Sequence, residues 1–187
     1  IEESQIEIVR KIKEKISLPV SVKLSSDYTN VLRFIKKMDE AGVDGLVLFN
    51  SFFQPDIDVD AQQHKKNFNL SRPGEYRKSL RYAGLLYGNV NADVCSSRGI
   101  FTGEGVVKQL LSGAAAIQMV SAVYKNGLEQ IAVANKELSD WMERKGYTSI
   151  EEFRGKLSQK NLGADSLVYR RAQYVDLLLS SENIFGD

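Results

Sequence analysis

"CSSRGIFTGEGVVKQLLSGAAAIQMVSAVY", residues 95–124, holds two strand-like runs that each end in small polar residues, with one amphipathic helix between them. Thr102 is placed to cap that helix, Val106/Val107 and Leu110/Leu111 recur at helical spacing, and Gly113 closes it. The flanking runs "NADVCSS" (91–97) and "AAAIQMV" (114–120) read as strands. Upstream, "LPVSVKLS" (18–25) opens at Pro19 and lines one face with Val20, Val22 and Leu24. Asp27 or Thr29 is placed to cap a helix through Val31, Phe34/Ile35 and Met38, which Gly42 ends. "GLVLFN" (45–50) is apolar on both sides, as a parallel strand covered on both faces should be. A helix over 72–88 and a long one across about 126–145 complete a βαβαβαβ order.

Such alternation implies parallel strands with right-handed crossovers. An open doubly wound sheet would carry G-x-G-x-x-G after its first strand; here "TGEG" is too short and follows the third. A (β/α)8 barrel places phosphate at the loops after its last two strands, and the two turns of 95–124 are adjacent loops of that kind. Four strands make half a barrel, a full one running to about 250 residues. The chain opens without Met, inside a helix-like run (Ile8/Val9, Ile12, Ile16). The expected fold is therefore α/β, the C-terminal half of a (β/α)8 barrel over 1–187, with a helical C-terminal extension over 147–187. In that extension Ser149 and Glu152 have capping-box spacing, and Leu167/Val168, Ala172, Val175 and Leu178/Leu179 form one apolar stripe. Residues 51–71 form an insertion of about 20 residues, a length that marks lids or binding loops. Within it, "DIDVD" and "NFNL" alternate as a short antiparallel hairpin would.

Hydrophobic residues make up 43% of the 187, enough for a real core. A net charge of +1 gives no field that would hold nucleic acid. No apolar run reaches the length of a membrane span, and no signal-peptide pattern opens the chain. The single cysteine, Cys95, excludes an internal disulfide and suits a reducing cytoplasm. Inside an apolar run it reads as a small buried hydrophobe rather than a reactive thiol. His64 lies in a polar loop without an evident partner, and no metal-ligand pattern occurs.

Lys23 points opposite to Val22 and Leu24 by strand alternation. Facing inward at a barrel mouth, its ammonium needs an anionic partner; a snorkelling surface lysine satisfies the same spacing. Asn50 occupies the equivalent strand end, where an amide caps the next loop or reads a ligand. Gly99 and the backbone around Ser121-Ala122 offer N–H groups beside helix starts, suited to a phosphate dianion, and Arg98 adds a charge-assisted bond. An ordinary turn with an exposed Arg is the plainer alternative.

Together, "PVSVKLS", "AGVDGLVLFN", "SSRGIFTGEGVVKQLLSGAAAIQMVSAVY" and "WMERKGY" resemble the C-terminal half of the dihydroorotate dehydrogenase family, more closely its dihydroorotate dehydrogenase-like bacterial branch. The resemblance implies FMN at the C-terminal mouth of the barrel. Lys23 would lie beside the pyrimidine edge of its ring. Ser97-Arg98-Gly99 and Val120-Ser121-Ala122 would hold its phosphate, while Asn50, with Ser51, would bind a dihydropyrimidine such as dihydroorotate. Many members carry Gly-Gly where this chain has Arg98-Gly99. The family's catalytic base, a Cys or Ser, belongs to the first half of the barrel, so none is expected here and Cys95 is not its replacement. The implied activity is FMN-dependent oxidation by hydride transfer, with this chain inactive alone. A phosphate-sugar lyase or isomerase using Lys23, and a non-enzymatic scaffold relative, are the alternatives. Unpaired edges at "PVSVKL" and "AAAIQMV" lead to an expectation of self-association.

Overall fold

The structure, a computed structural model, describes residues 1–51, 54–65 and 70–169. Its elements in chain order are α1 (Glu2–Lys15), β1 (Ser21–Leu24), α2 (Val31–Glu40), β2 (Gly45–Leu48), β3 (Ile57–Asp58), β4 (Gln63–His64) and α3 (Arg77–Leu86). Then follow β5 (Asp93–Ser97), α4 (Gly103–Ser112), β6 (Ala116–Gln118), α5 (Val120–Asn126), α6 (Glu129–Lys145) and α7 (Gln159–Leu162), with a 3-10 helix over Gly163–Tyr169. Four strands form one all-parallel sheet in the order β1-β2-β5-β6, a partial (β/α)8 barrel with its crossover helices.

Alternation along the strands decides which face the helices cover. Leu24, Leu46, Leu48 and Val94 pack against Phe34, Ile35 and Met38 of α2, Ala83 and Leu86 of α3, and Ile6 and Val9 of α1. Each such side chain contributes roughly 1.5–3 kcal/mol by leaving water. The opposite face carries one row, Lys23–Val47–Cys95–Ala116, set by the register of the four strands. On a flat sheet β1 and β6 would stand about 14 Å apart, three strand spacings. Lys23 Nζ nevertheless donates to Gln118 Oε1 at 3.3 Å. The two outer strands lean towards each other over the open face, which is the concavity of a barrel wall.

A second cluster joins α4 to α6. Ile100, Val106, Leu110, Ala134 and Phe153 form its buried centre, with Trp141 and Tyr147 packed against it. The approach is close: a Cβ on Gly103 would stand 2.7 Å from the Ala134 carbonyl. Glu137 accepts from the Gly103 N–H at 2.5 Å, serving the start of α4 from a neighbouring helix.

Several local expectations are corrected. Asn30, rather than Asp27 or Thr29, caps α2, its side chain accepting from the Arg33 N–H at 3.0 Å; Asp27 is engaged by the Ser25 hydroxyl. The helix expected from 72 starts at Arg77, because 73–76 turn so that the Gly74 N–H reaches the Gly99 carbonyl at 3.1 Å. The fourth strand stops at Gln118, since its neighbour turns away after Ser97, and Val120-Ser121-Ala122 become the first turn of α5. The long helix breaks at Gly127, φ 84°, between α5 and α6. The hairpin pairs Ile57 with His64 and Asp58 with Gln63, so "DIDVD" finds its partner earlier than "NFNL", of which 67–69 lie outside the described residues.

Residues 148–158 run as successive turns rather than a helix. Their Gly155 and Leu157 N–H groups donate to Leu110 and Leu111, capping α4 from outside. The Glu152 carboxylate accepts from the Ser149 N–H at 3.1 Å, one half of the expected capping box. Val168 is exposed; the Leu167 side chain and Ala172, Val175, Leu178 and Leu179 lie outside what the structure describes.

Leu46 is fully buried on the helix-covered face, whereas Val47 belongs to the open row. Leu46→Ala is expected to cost about 3 kcal/mol and Val47→Ala about half that, read from urea midpoints; equal losses would contradict the assignment of faces. Among the described residues β1 and β6 have one unpaired side each, and Ala116 is exposed. The 187-residue chain by itself is expected to elute above monomer mass in size exclusion with light scattering; a monomer would overturn this.

Candidate functional site

The open mouth of the sheet holds a cavity of about 230 Å³. Lys23, Asn50, Ser51, Ser97, Arg98, Gly99, Val120 and Ser121 all line it. Of the positions expected from sequence, Ala122 is absent from the lining and lies fully buried in α5. A second cavity of about 310 Å³ shares the Asn50-Ser51 and Ser97-Arg98 walls and extends to Asp27, Glu75 and Lys78. Together the two fall within the roughly 300–1,000 Å³ typical of small-molecule sites.

Lys23 reaches this space because its neighbours Val22 and Leu24 are drawn to the helix side, leaving the lysine on the open row. Beneath it, Cys95 is half-buried, and burial pushes its thiol pKa above the ordinary value, with the Lys23 charge opposing. The thiol therefore stays protonated at neutral pH, as a filler would.

The turn after β5 is tightly held. Arg98 adopts φ 83°, a left-handed conformation that residues with a Cβ seldom take. Its Nε and one terminal guanidinium nitrogen both reach the same Glu75 carboxylate oxygen, each at 3.0 Å. The guanidinium is thus engaged by a carboxylate. Gly99 follows at φ 68°, and a Cβ there would stand 2.7 Å from the Arg72 carbonyl and the Glu75 amide nitrogen. Glycine is required by the close approach of segment 72–75. The Gly99 N–H, expected to face a phosphate, donates to Ser71 Oγ at 3.0 Å, and the Ser71 N–H donates to Ser121 Oγ at 2.9 Å.

Sequence reasoning missed Gln118, Ser71 and Glu75. Gln118 had a signal, being the polar member of an apolar strand on the same face as Lys23. Ser71 and Glu75 come from the end of the long insertion and the turn after it, where no periodicity places a side chain. Among the described residues no cluster of three His, Cys, Asp or Glu can hold a metal ion, and no helix is long and apolar enough to cross a membrane.

A parallel half-barrel with a donor-rich mouth sets the class. The family model for dihydroorotate dehydrogenase matches residues 2–142, and the chain belongs to that family. It is 27% identical over 155 residues to the protein named dihydroorotate dehydrogenase B (NAD(+)), catalytic subunit, of Methanocaldococcus jannaschii, covering 80% of this chain and 49% of that relative. The protein of the same name from Oceanobacillus iheyensis is 30% identical over 149 residues, 78% of this chain and 48% of the relative. Dihydroorotate dehydrogenase (fumarate) of Lachancea kluyveri is 38% identical over 89 residues, 46% of this chain and 28% of the relative. The chain spans about half the length of the first two.

The half-buried, protonated thiol leads to a direct expectation. Cys95 should resist iodoacetamide at pH 7.5 in the folded protein and react fully in denaturant, read by intact mass; rapid labelling of the native protein would contradict a protonated thiol.

Proposed function

We propose that the full-length protein containing this chain is an FMN-dependent, cytoplasmic oxidoreductase of the dihydroorotate dehydrogenase type, acting on a dihydropyrimidine. The observation that supports it is the shared cavity: an ammonium group from β1, an amide after β2, the turn after β5 and the first turn of α5 all line it. The donor set suits a phosphorylated flavin, since Lys23, the Asn50 amide, and hydroxyls at Ser97 and Ser121 are hydrogen-bond donors facing a ligand rich in acceptors. FMN, when bound, supplies the hydride acceptor that no side chain provides.

In this reading Lys23 carries the positive charge that favours electron arrival at the ring's pyrimidine edge. Val47 and Cys95 beneath it exclude water from one side. Asn50 and Ser51 orient a planar substrate through its polar edge. Ser97, Arg98 and Gly99, with Val120 and Ser121, surround the phosphate end, the Arg98 backbone rather than its guanidinium being the contact, and Ala122, buried in α5, lies behind them. The proton acceptor for substrate oxidation lies outside these 187 residues. Self-association through the strand edges belongs to the same proposal.

The full-length protein is expected to purify with a flavin spectrum that bleaches when dihydroorotate is added anaerobically. Lys23→Met should retain flavin yet slow bleaching by about 10²–10³-fold, the size of a lost charge-stabilising donor. A protein that takes up no FMN on reconstitution would overturn the flavin reading; flavin that stays oxidised with dihydroorotate would remove that substrate.

A further inference from the structure

A groove of about 750 Å³ runs between α2 and α3 and shares no residue with either cavity of the mouth. Leu32 and Leu85, both half-buried, give it an apolar lining, and Arg33, Lys36 and Lys37 make its α2 side basic. Lys37 is paired with Glu3, whereas among the described residues Arg33 and Lys36 form no ion pair. The chain comes to this groove twice. Gln159, the first residue of α7, lines it. The 3-10 helix then returns the chain to α3, where the Tyr169 ring lies so close over Gly84 that a Cβ there has no room. The Tyr169 hydroxyl donates to the Leu157 carbonyl at 2.6 Å, and its own carbonyl accepts from the Arg81 guanidinium at 2.7 Å. Arg81 precedes Leu85 by four residues, about 6 Å along α3. The described chain therefore ends at an anchored point about one helical turn from the groove.

We propose that residues 170–187 dock in the α2–α3 groove of their own chain. After Arg170 and Arg171 every charged residue of this segment is acidic, at Asp176, Glu182 and Asp187. Its Ala172, Val175 and Leu178/Leu179 are spaced as one apolar stripe, and all of these positions lie outside the described residues. An apolar stripe matched to Leu32 and Leu85, with carboxylates for Arg33 and Lys36, is the chemistry that the groove asks of an occupant. Length suffices, because even at the rise of a helix residues 170–187 extend about 27 Å, and α2 is about 15 Å long. Tethering selects this occupant over others. Exposed lysines hold a free anion weakly, whereas a segment fixed at Tyr169 meets them at an effective concentration of about millimolar. Docking there ties α3 to α2, and α3 follows directly on the turn that holds Arg98 and Gly99.

Carbodiimide treatment of the full-length protein tests the charge pairing, since it joins an ammonium to a carboxylate in contact. The expected product has the intact mass of one chain under denaturing conditions and contains a peptide link from Lys36 or Lys37 to Asp176, Glu182 or Asp187. A link confined to species of twice the chain mass would give the groove to a second copy, and no link from α2 to this segment would leave it elsewhere; either result overturns the proposal. Hydrogen exchange reads the same contact without a reagent. Deleting 170–187 should speed exchange in peptides covering 32–40 and 85–89 by about threefold or more, with α6 unchanged. Unchanged rates in the groove, or an equal rise throughout α6, would refute docking at this place. Should the shortened protein fail to fold, full-length Arg33→Glu/Lys36→Glu, altered at two exposed side chains, should show the same local rise in exchange, and rates equal to the parent would count against the proposal in the same way.

Discussion

In-register parallel pairing of Lys23, Val47, Cys95 and Ala116 sets the direction of every side chain at the mouth, because slipping one strand by a residue would exchange its two faces. The register is held by burial on the other side. Leu24, Leu46, Leu48 and Val94 have no alternative home once α2 and α3 cover them. The helix-covered face thus specifies the open face, and a lysine reaches the mouth because the leucine beside it could not. Stability and site are two consequences of one alternation.

The second support is the turn segment before α3. Ser71, Gly74 and Glu75 contact Gly99 or Arg98 by hydroxyl, amide and carboxylate respectively. Parallel strands are joined by long crossovers, so the loop leaving β2 must pass the end of β5 before α3 begins. Packing there is tight enough to demand glycine at 99. The insertion is therefore part of the wall of the site as well as a connection.

The order of elements, the parallel sheet and most cavity positions were legible because they depend on periodicity, and periodicity survives in a single sequence. Lys23 and Asn50 follow from strand ends; Thr102 follows from its place before an apolar helix and does cap α4, accepting from the Gly105 N–H at 3.2 Å. What escaped depends on contacts between distant segments. Strand length at β6 is set by where β5 stops, so Val120 could not be assigned to a helix from its own neighbourhood. Ser71 shows no pattern at all, and its importance comes from partners 28 and 50 residues away. The capping-box spacing of Ser149 and Glu152 also misled, because the segment runs as turns whose Gly155 and Leu157 N–H groups serve the end of α4.

Arg98 fixes the shape of the mouth where the turn after β5 meets the segment before α3. A side chain in place of glycine at φ 83° costs roughly 1–2 kcal/mol of backbone strain. The ion pair with Glu75 is about one-third exposed on both sides, and such pairs return at most about 1 kcal/mol. Strain and pairing come close to balance, so the arginine need not have been retained for stability. Its effect is positional: the guanidinium is bound to Glu75, the Cβ follows it, and the turn keeps a left-handed backbone of the kind glycine would adopt. An arginine held this way closes the boundary between the two cavities, both of which it lines, while the Gly99 N–H and carbonyl that follow are bonded to Ser71 Oγ and to the Gly74 N–H. The arginine therefore shapes the wall between the two cavities more than it adds a free charge to either.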